Sequence, residues 1–260
     1  MPELPDVEGF RRVLAEHTGE PIASVSVLDP GVLRGVTARR LSTSLRGHRF
    51  EEPHRHGKWL LAPAQGPVVL LHFGMTGSLT WHPSDDPRHR HDRVVWALPD
   101  GELRFRDMRK LQGVHLASNS KEADETVENL GPDALDLSRD DLTATLGAHR
   151  GRLKTTLTDQ TIIAGLGNLL ADEICWQAHL NPLRPARDLT APEVTTLHRA
   201  MHRVLRDSLK AERVPPRKTW LTGARDTQPP TCPRCGTPLK SRRLSGRRTL
   251  WCPTCQRGGA

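Results

Sequence analysis

Four of the five cysteines in this 260-residue chain stand in two CxxC knuckles, Cys232-Pro-Arg-Cys235 and Cys252-Pro-Thr-Cys255, with sixteen residues between them. Four soft thiolates on two short turns close a tetrahedral Zn²⁺ shell. Such a shell has no open position, so one ion held by Cys232, Cys235, Cys252 and Cys255 is structural and not catalytic. A redox pair is the competing reading, and two matched knuckles favour zinc. The intervening KSRRLSGRRTLW reads as two strands turning near Ser245-Gly246, a metal-bound β-hairpin. The fifth cysteine, Cys175, lies in an apolar helical stretch beside Ile174 and Trp176 and reads as a buried, inert thiol.

Charge is segregated along the chain. Residues 211–260 carry 11 basic and 2 acidic side chains, against 27 and 28 in residues 1–210. A polyanionic partner docking on the C-terminal segment follows, and Lys240, Arg242, Arg243, Arg247 and Arg248 place much of that charge between the knuckles. No run of about 18 apolar residues exists and the first thirty residues lack a signal-peptide pattern, so a soluble intracellular protein without a membrane partner is expected.

The hydrophobic period changes twice. Pro5 to His17 places Val7, Phe10, Val13 and Leu14 at helical spacing. From Ile22 to about Leu116 come short apolar runs (IASVSVL, KWLLAPA, PVVLLHFG, RVVWALP, GELRFRD), which read as an antiparallel β-sandwich or barrel. Residues 119–136, acidic and carrying Gly131-Pro132, read as a connection. Helices are predicted near 138–148, 154–163, 168–178 and 191–210, then a proline-rich loop over 211–231. The predicted fold class is α+β and multidomain: an N-terminal helix plus antiparallel β-sandwich (1–120), a helical domain (121–222) and a four-cysteine zinc β-hairpin (223–260).

Removal of Met1 would leave Pro2 presenting a secondary amine, which can attack an electrophilic carbon and form an iminium. Glu3 stands beside it to move protons. MPELPDVE at the terminus, HGKWLL around Lys58, HFGMTG at 72–77, LKTTLTDQTIIAGLGNLLADEI at 153–174 and GRRTLWCPTCQ together resemble the formamidopyrimidine-DNA glycosylase / endonuclease VIII family, in that family's order from residue 2 to residue 256.

The resemblance implies a bifunctional base-excision repair enzyme, glycosylase and abasic-site lyase, acting on damaged double-stranded DNA as a monomer in the bacterial cytoplasm. Pro2 would attack C1′, Glu3 would act as acid/base, and Lys58 would contact the phosphate beside the lesion. His72, Asn168 and Arg247 match phosphate contacts, Asn168 within a helix–two-turn–helix element. Lys154 matches a basic residue near the lesion in purine-specific members. Met75, Arg109 and Leu111 match the side chains that fill the gap left by the flipped base. One structural zinc is implied, with no catalytic metal and no organic cofactor.

The chain departs from the pattern in places. DMRKLQG replaces the usual DPRRFG, so the wedge carries Leu111 where relatives usually have Phe. Residues 211–231 are short and lack an Arg-Asp-Tyr segment, which puts efficient 8-oxoguanine excision in question. Two alternatives stand beside the glycosylase: a non-catalytic damaged-DNA-binding paralogue, and a metal-dependent nuclease built on the histidines at 54, 56, 82, 89 and 91.

Overall fold

The computed structural model describes residues 1–257. The chain divides into two compact units, Met1–Pro2 with Asp6–Asn129, and Glu3–Pro5 with Leu130–Ala260.

Helix α1 (Leu4–Ala15) leads into β1 (Ser24–Val27), α2 (Ala38–Leu45), β2 (His54–His56), β3 (Trp59–Pro63), β4 (Val68–His72), β5 (Ser78–His82), β6 (Asp92–Leu98), β7 (Gly101–Arg106), β8 (Val114–Ala117) and α3 (Ser120–Val127). The strands make two antiparallel four-stranded sheets, ordered β1-β6-β7-β5 and β2-β3-β4-β8. Alternate residues of the two sheets share one core: Leu60, Ala62, Val69 and Leu71 pack with Val94, Trp96, Leu103 and Phe105. This is the expected sandwich.

The opposite face of β3 and β4 explains why VVLLH is apolar on both sides. Leu61, Val68 and Leu70 pack against Ala117 and Ala123, the latter on α3. Residues 120–127 are therefore a helix where the sequence reading expects a connection. Only Ala123 of this polar helix is buried, and Asn119 caps it by accepting from Glu122 N–H at 3.0 Å. Helix α2 and strands β2, β5 and β8 also lie outside the apolar runs.

The second unit contains α4 (Arg139–Ala148), α5 (Leu153–Thr158), α6 (Asn168–Gln177), α7 (Ala191–Lys210), α8 (Leu221–Ala224), β9 (Lys240–Leu244) and β10 (Arg247–Trp251). Helix α5 ends five residues before the predicted 163. Asp159 turns the chain by accepting from Thr161 N–H and Oγ1, and Gln160 fixes the following loop through Thr158 O, Leu166 O and Gly165 N–H. Two helices joined by that double turn form the expected helix–two-turn–helix element. The core of this unit runs from Leu4 through Leu170 and Ile174 to Leu197, Met201 and Leu205. A satellite core of Trp176, Leu221, Cys232, Leu250 and Cys252 seats the cysteine hairpin on α6.

Candidate active site and nucleic-acid interface

In the second unit, the Glu3 carboxylate is 1% exposed and closes the N-terminal end of α6. It accepts from Leu169 N–H at 2.8 Å, Leu170 N–H at 3.0 Å and Gly167 N–H at 3.1 Å. A helix leaves such donors unpaired at its start, and its dipole favours an acid there. The sequence of α6 supplies no acid in its first turn and no side-chain cap. Glu3 fills both roles from the far end of the chain.

Gly165 and Gly167 make room for this docking. A Cβ at residue 167 would overlap the Glu3 carboxyl group, and one at Gly165, where φ is +103°, would lie 2.6 Å from Leu4 Cδ1. Leu4 N–H completes the seat by donating to Gly165 O at 3.1 Å. Along the sequence, GLGN is only a turn before a helix. The clue missed there is that an uncapped helix preceded by two glycines needs a partner from elsewhere.

Asn168 opens α6, and its Oδ1 accepts from Lys154 Nζ at 2.7 Å, which leaves the amide N–H groups as its donors. Lys154 itself is buried. Its ammonium lies 2.6 Å from Asp172 Oδ1 and donates to Arg248 O at 3.2 Å. Burial lowers the Lys154 pKa and raises that of Asp172, and the ion pair opposes both shifts. Arg247 is exposed at the start of β10, next to a turn whose residues Ser245 and Gly246 both have positive φ, +46° and +75°. An open groove of about 330 Å³ beside it is lined by Thr155, Thr158, Asp159, Gln160, Ser245 and Arg247.

The donor atoms of Cys232, Cys235, Cys252 and Cys255 all lie within 4.8 Å of one another. Tetrahedral Zn–S bonds of about 2.3 Å separate sulfurs by roughly 3.8 Å, so the set fits one ion. Trp176 Nε1–H and Cys255 N–H each donate to a ligand sulfur at 3.4 Å. Gln256, fully buried, ties the second knuckle to the helical part: its Oε1 accepts from Cys252 N–H and its Nε2 donates to Leu180 O. Cys175 is buried, its thiol pKa raised by desolvation, as the sequence reading expects of an inert group.

In the first unit, Pro2 is half-buried ahead of α1. Lys58 follows Gly57 in the tight β2–β3 turn and is 8% exposed. Pairing of Trp59 with His72 sets the end of β4 beside it. Burial, reinforced by the Lys58 charge, pushes the His72 pKa down to about 4. His72 Nδ1 accepts from Gly74 N–H at 3.1 Å, so at neutral pH the ring is uncharged with its proton on Nε2, a hydrogen-bond donor and not a cation.

Met75 (40% exposed), Met108 (53%) and Leu111 (50%) are among the few exposed large apolar side chains. Arg109 Nη1 reaches Met75 Sδ at 3.1 Å, and Leu111 Cβ lies near Gly74, so Met75, Arg109 and Leu111 sit on adjoining loops. Those loops are built, not loose. Asp107 Oδ1 accepts from Thr76 Oγ1 at 2.5 Å and Arg109 N–H at 3.0 Å, and Arg34 holds Lys110 O at 2.6 Å.

The histidines do not assemble a second metal centre: among the described residues, the four cysteines are the only group of three or more potential ligands whose donor atoms converge. Asp92, next to His91, is instead a buried loop cap that accepts from His89 N–H at 2.8 Å and Arg106 Nε at 2.7 Å.

Comparison with known proteins agrees with this geometry. Residues 1–114 match the formamidopyrimidine-DNA glycosylase N-terminal domain, 130–216 its H2TH domain, and 230–258 the zinc finger found in FPG and IleRS. The chain is 33% identical over 274 residues to a formamidopyrimidine-DNA glycosylase of Desulfitobacterium hafniense, covering 98% of this chain and 100% of that relative. It is 35% identical over 277 residues to one of Symbiobacterium thermophilum, covering 98% and 89%. Among solved structures, the Lactococcus lactis glycosylase bound non-covalently to DNA containing an AP site superposes with a TM-score of 0.87 at 26% identity, over 99% of this chain and 100% of that one. A complex of the same enzyme with DNA containing an oxidised pyrimidine gives 0.89. With domains in this order and relatives matched over nearly their full length, the chain belongs to the formamidopyrimidine-DNA glycosylase family.

Proposed function

We propose that the chain excises an oxidised base from duplex DNA with Pro2 as nucleophile, Glu3 as the proton-transfer group and Lys58 as the contact to the phosphate beside the lesion. Membership of the family makes it a DNA glycosylase and abasic-site lyase whose partner is damaged double-stranded DNA. The observation that carries the residue assignment is Glu3, a buried carboxylate immobilised by three N–H donors in the residue next to the candidate amine.

Once Met1 is removed, the Pro2 nitrogen attacks C1′ and the glycosidic bond breaks, its electron pair leaving with the base. Proton transfer through Glu3 opens the sugar and yields a C1′ iminium. The iminium acidifies the C2′ proton; its loss sends an electron pair toward C3′ and expels the 3′ phosphate, which nicks the strand. Neutral His72, Asn168 and Arg247 are assigned to phosphate oxygens, and Met75, Arg109 and Leu111 to the gap in the stack. Zinc supplies no step; when bound to the four cysteines it holds the hairpin that carries Arg247.

The segment after α7 supports a narrow substrate choice. It folds back as α8, with Thr222 N–H on Glu173 Oε2 at 3.0 Å and Arg225 on Asp172 at 2.6 Å, and its sequence over 211–231 lacks an Arg-Asp-Tyr segment. Cleavage of abasic sites and oxidised pyrimidines should therefore exceed excision of 8-oxoguanine. The bacterial relatives support a place for this work in the bacterial cytoplasm.

Borohydride trapping tests the proposal on duplexes carrying an abasic site, an oxidised pyrimidine or 8-oxoguanine. A covalent adduct that mass analysis maps to Pro2 is the expected result. Absence of any adduct, from protein shown to have lost Met1, would overturn it.

A further inference from the structure

We propose that Lys154, Asp172 and Arg225 form a buried positioning cluster that fixes Asn168 and the zinc hairpin in one register. Two phosphate-directed groups, Asn168 and Arg247, would then meet the DNA strand as a single preset unit. The inference rests on the reading above that these groups face DNA.

The three side chains come from α5, α6 and the stretch after α8, and Asp172 is their hub. One of its oxygens lies 2.6 Å from Lys154 Nζ and the other 2.6 Å from Arg225 Nη1, with the three side chains 1%, 2% and 11% exposed for Asp172, Lys154 and Arg225. Lys154 also donates to Asn168 Oδ1 at 2.7 Å and to Arg248 O at 3.2 Å, and Arg225 Nη2 donates to that same carbonyl at 2.8 Å. Arg248 O thus receives two cationic donors, and it belongs to the residue that follows Arg247. Moving the hairpin relative to α6 would break both.

Two physical arguments favour positioning over a plain structural role. A buried ion cluster is a poor source of stability, since apolar residues of similar size often do as well; its best-attested use is to specify one arrangement. The charges here also fail to balance, with two cations on one carboxylate. The surplus is directed through Lys154 onto Asn168 Oδ1, which polarises the amide and strengthens its N–H groups as donors to an anion. A backbone phosphate is the ligand this arrangement suits.

The same geometry speaks against Lys154 as a lesion contact. Lys154 Nζ donates to Asn168 Oδ1 and Arg248 O, and the Asp172 carboxylate holds the ammonium as a buried ion pair at 2.6 Å. Lys154 could reach a flipped base only by abandoning a buried carboxylate. It is a positioning residue, as are Asp172 and Arg225.

The test compares wild type, Asp172→Asn, Arg225→Gln, Arg225→Lys and Lys154→Met. Binding to a duplex with a non-cleavable abasic analogue is measured by fluorescence anisotropy across a salt series, alongside zinc content and single-turnover nicking at saturating DNA. Asp172→Asn and Arg225→Gln should weaken binding roughly tenfold or more and reduce the log–log salt slope by about one, while the saturating nicking rate stays within about threefold. Arg225→Lys should recover most of the affinity. Lys154→Met should lower activity on abasic, oxidised-pyrimidine and 8-oxoguanine duplexes by a common factor.

Unchanged affinity in both Asp172→Asn and Arg225→Gln would overturn the cluster. So would a Lys154→Met variant that loses one lesion class alone, which would assign the lysine to the lesion. If Asp172→Asn fails to retain zinc, Arg225→Gln, altered at the rim, decides. Wild-type protein that traps no adduct would sink the catalytic reading instead, and the anisotropy series separates that failure from failure of the cluster.

Discussion

The Glu3 carboxylate occupies the space that a side chain at residue 167 would need, so Gly167 is required by the acid and not by its own turn. Replacing it with alanine should push Glu3 off the α6 N–H groups. Overpacking of this kind costs about 1–3 kcal/mol. With Glu3 in its proposed acid/base role, this displacement should lower single-turnover base excision by about 10²-fold or more. Gly147, which has open space where a Cβ would go, is the control: Gly147→Ala should leave both stability and excision near wild type.

Two buried groups give the protein opposite pH sensitivities. His72 has a folded pKa of about 4 against an ordinary 6.5, so the unfolded chain binds an extra proton between those values and stability is lost as pH falls from about 6.5. Glu173, raised by burial to about 7 from 4.5, is the reverse: its contribution is present below 4.5 and is lost as pH rises through 7. Each can amount to up to about 3 kcal/mol. Urea midpoints from pH 5 to 8 should show His72→Gln flattening the acid limb and Glu173→Gln flattening the alkaline limb.

Zinc removal should cost grip before chemistry. The knuckles share a core with Trp176 and Leu250, and Trp176 donates to Cys232 Sγ at 3.4 Å. Cys252→Ser is expected to shift tryptophan emission and weaken abasic-duplex binding by about 10²-fold, in line with the loss of several phosphate contacts. Residual adduct formed at high protein concentration should retain the wild-type mass. A brief chelator treatment that leaves bound zinc in place should not slow nicking; if it does, a metal participates in the reaction.

Asp107 and Thr76 lock the loop that carries Arg109, the loop proposed to fill the gap left by the flipped base. Met75→Ala should therefore impair extrusion of a stacked base more than cleavage at an abasic site, where little remains to be unstacked. A roughly tenfold or greater fall in single-turnover excision, against a threefold or smaller change on abasic duplex, is the expected split. Leu111→Phe, which enlarges the wedge, should raise excision relative to wild type.

Much of this protein is legible along the chain. The two CxxC knuckles define the hairpin and its metal because ligand number and spacing are local properties, and the apolar runs define the sandwich strands because alternation follows from the pleat. Helix α3 is not legible, since a polar segment becomes a helix only when the outer face of β3 and β4 needs covering. Nor is the end of α5 at Thr158, which depends on Asp159 and Gln160 finding partners in the turn beyond. The order of residues proposes the groups for the chemistry: an amine at Pro2, an acid at Glu3, a lysine at 58, four thiolates and a basic hairpin. What holds those groups is set in three dimensions, because Glu3 meets Gly167 and Lys154 meets Asp172 across separate elements of the fold. Hydrogen-bond satisfaction in a dry interior, which no local pattern encodes, makes one carboxylate the cap of α6 and seats the buried lysine against Asp172.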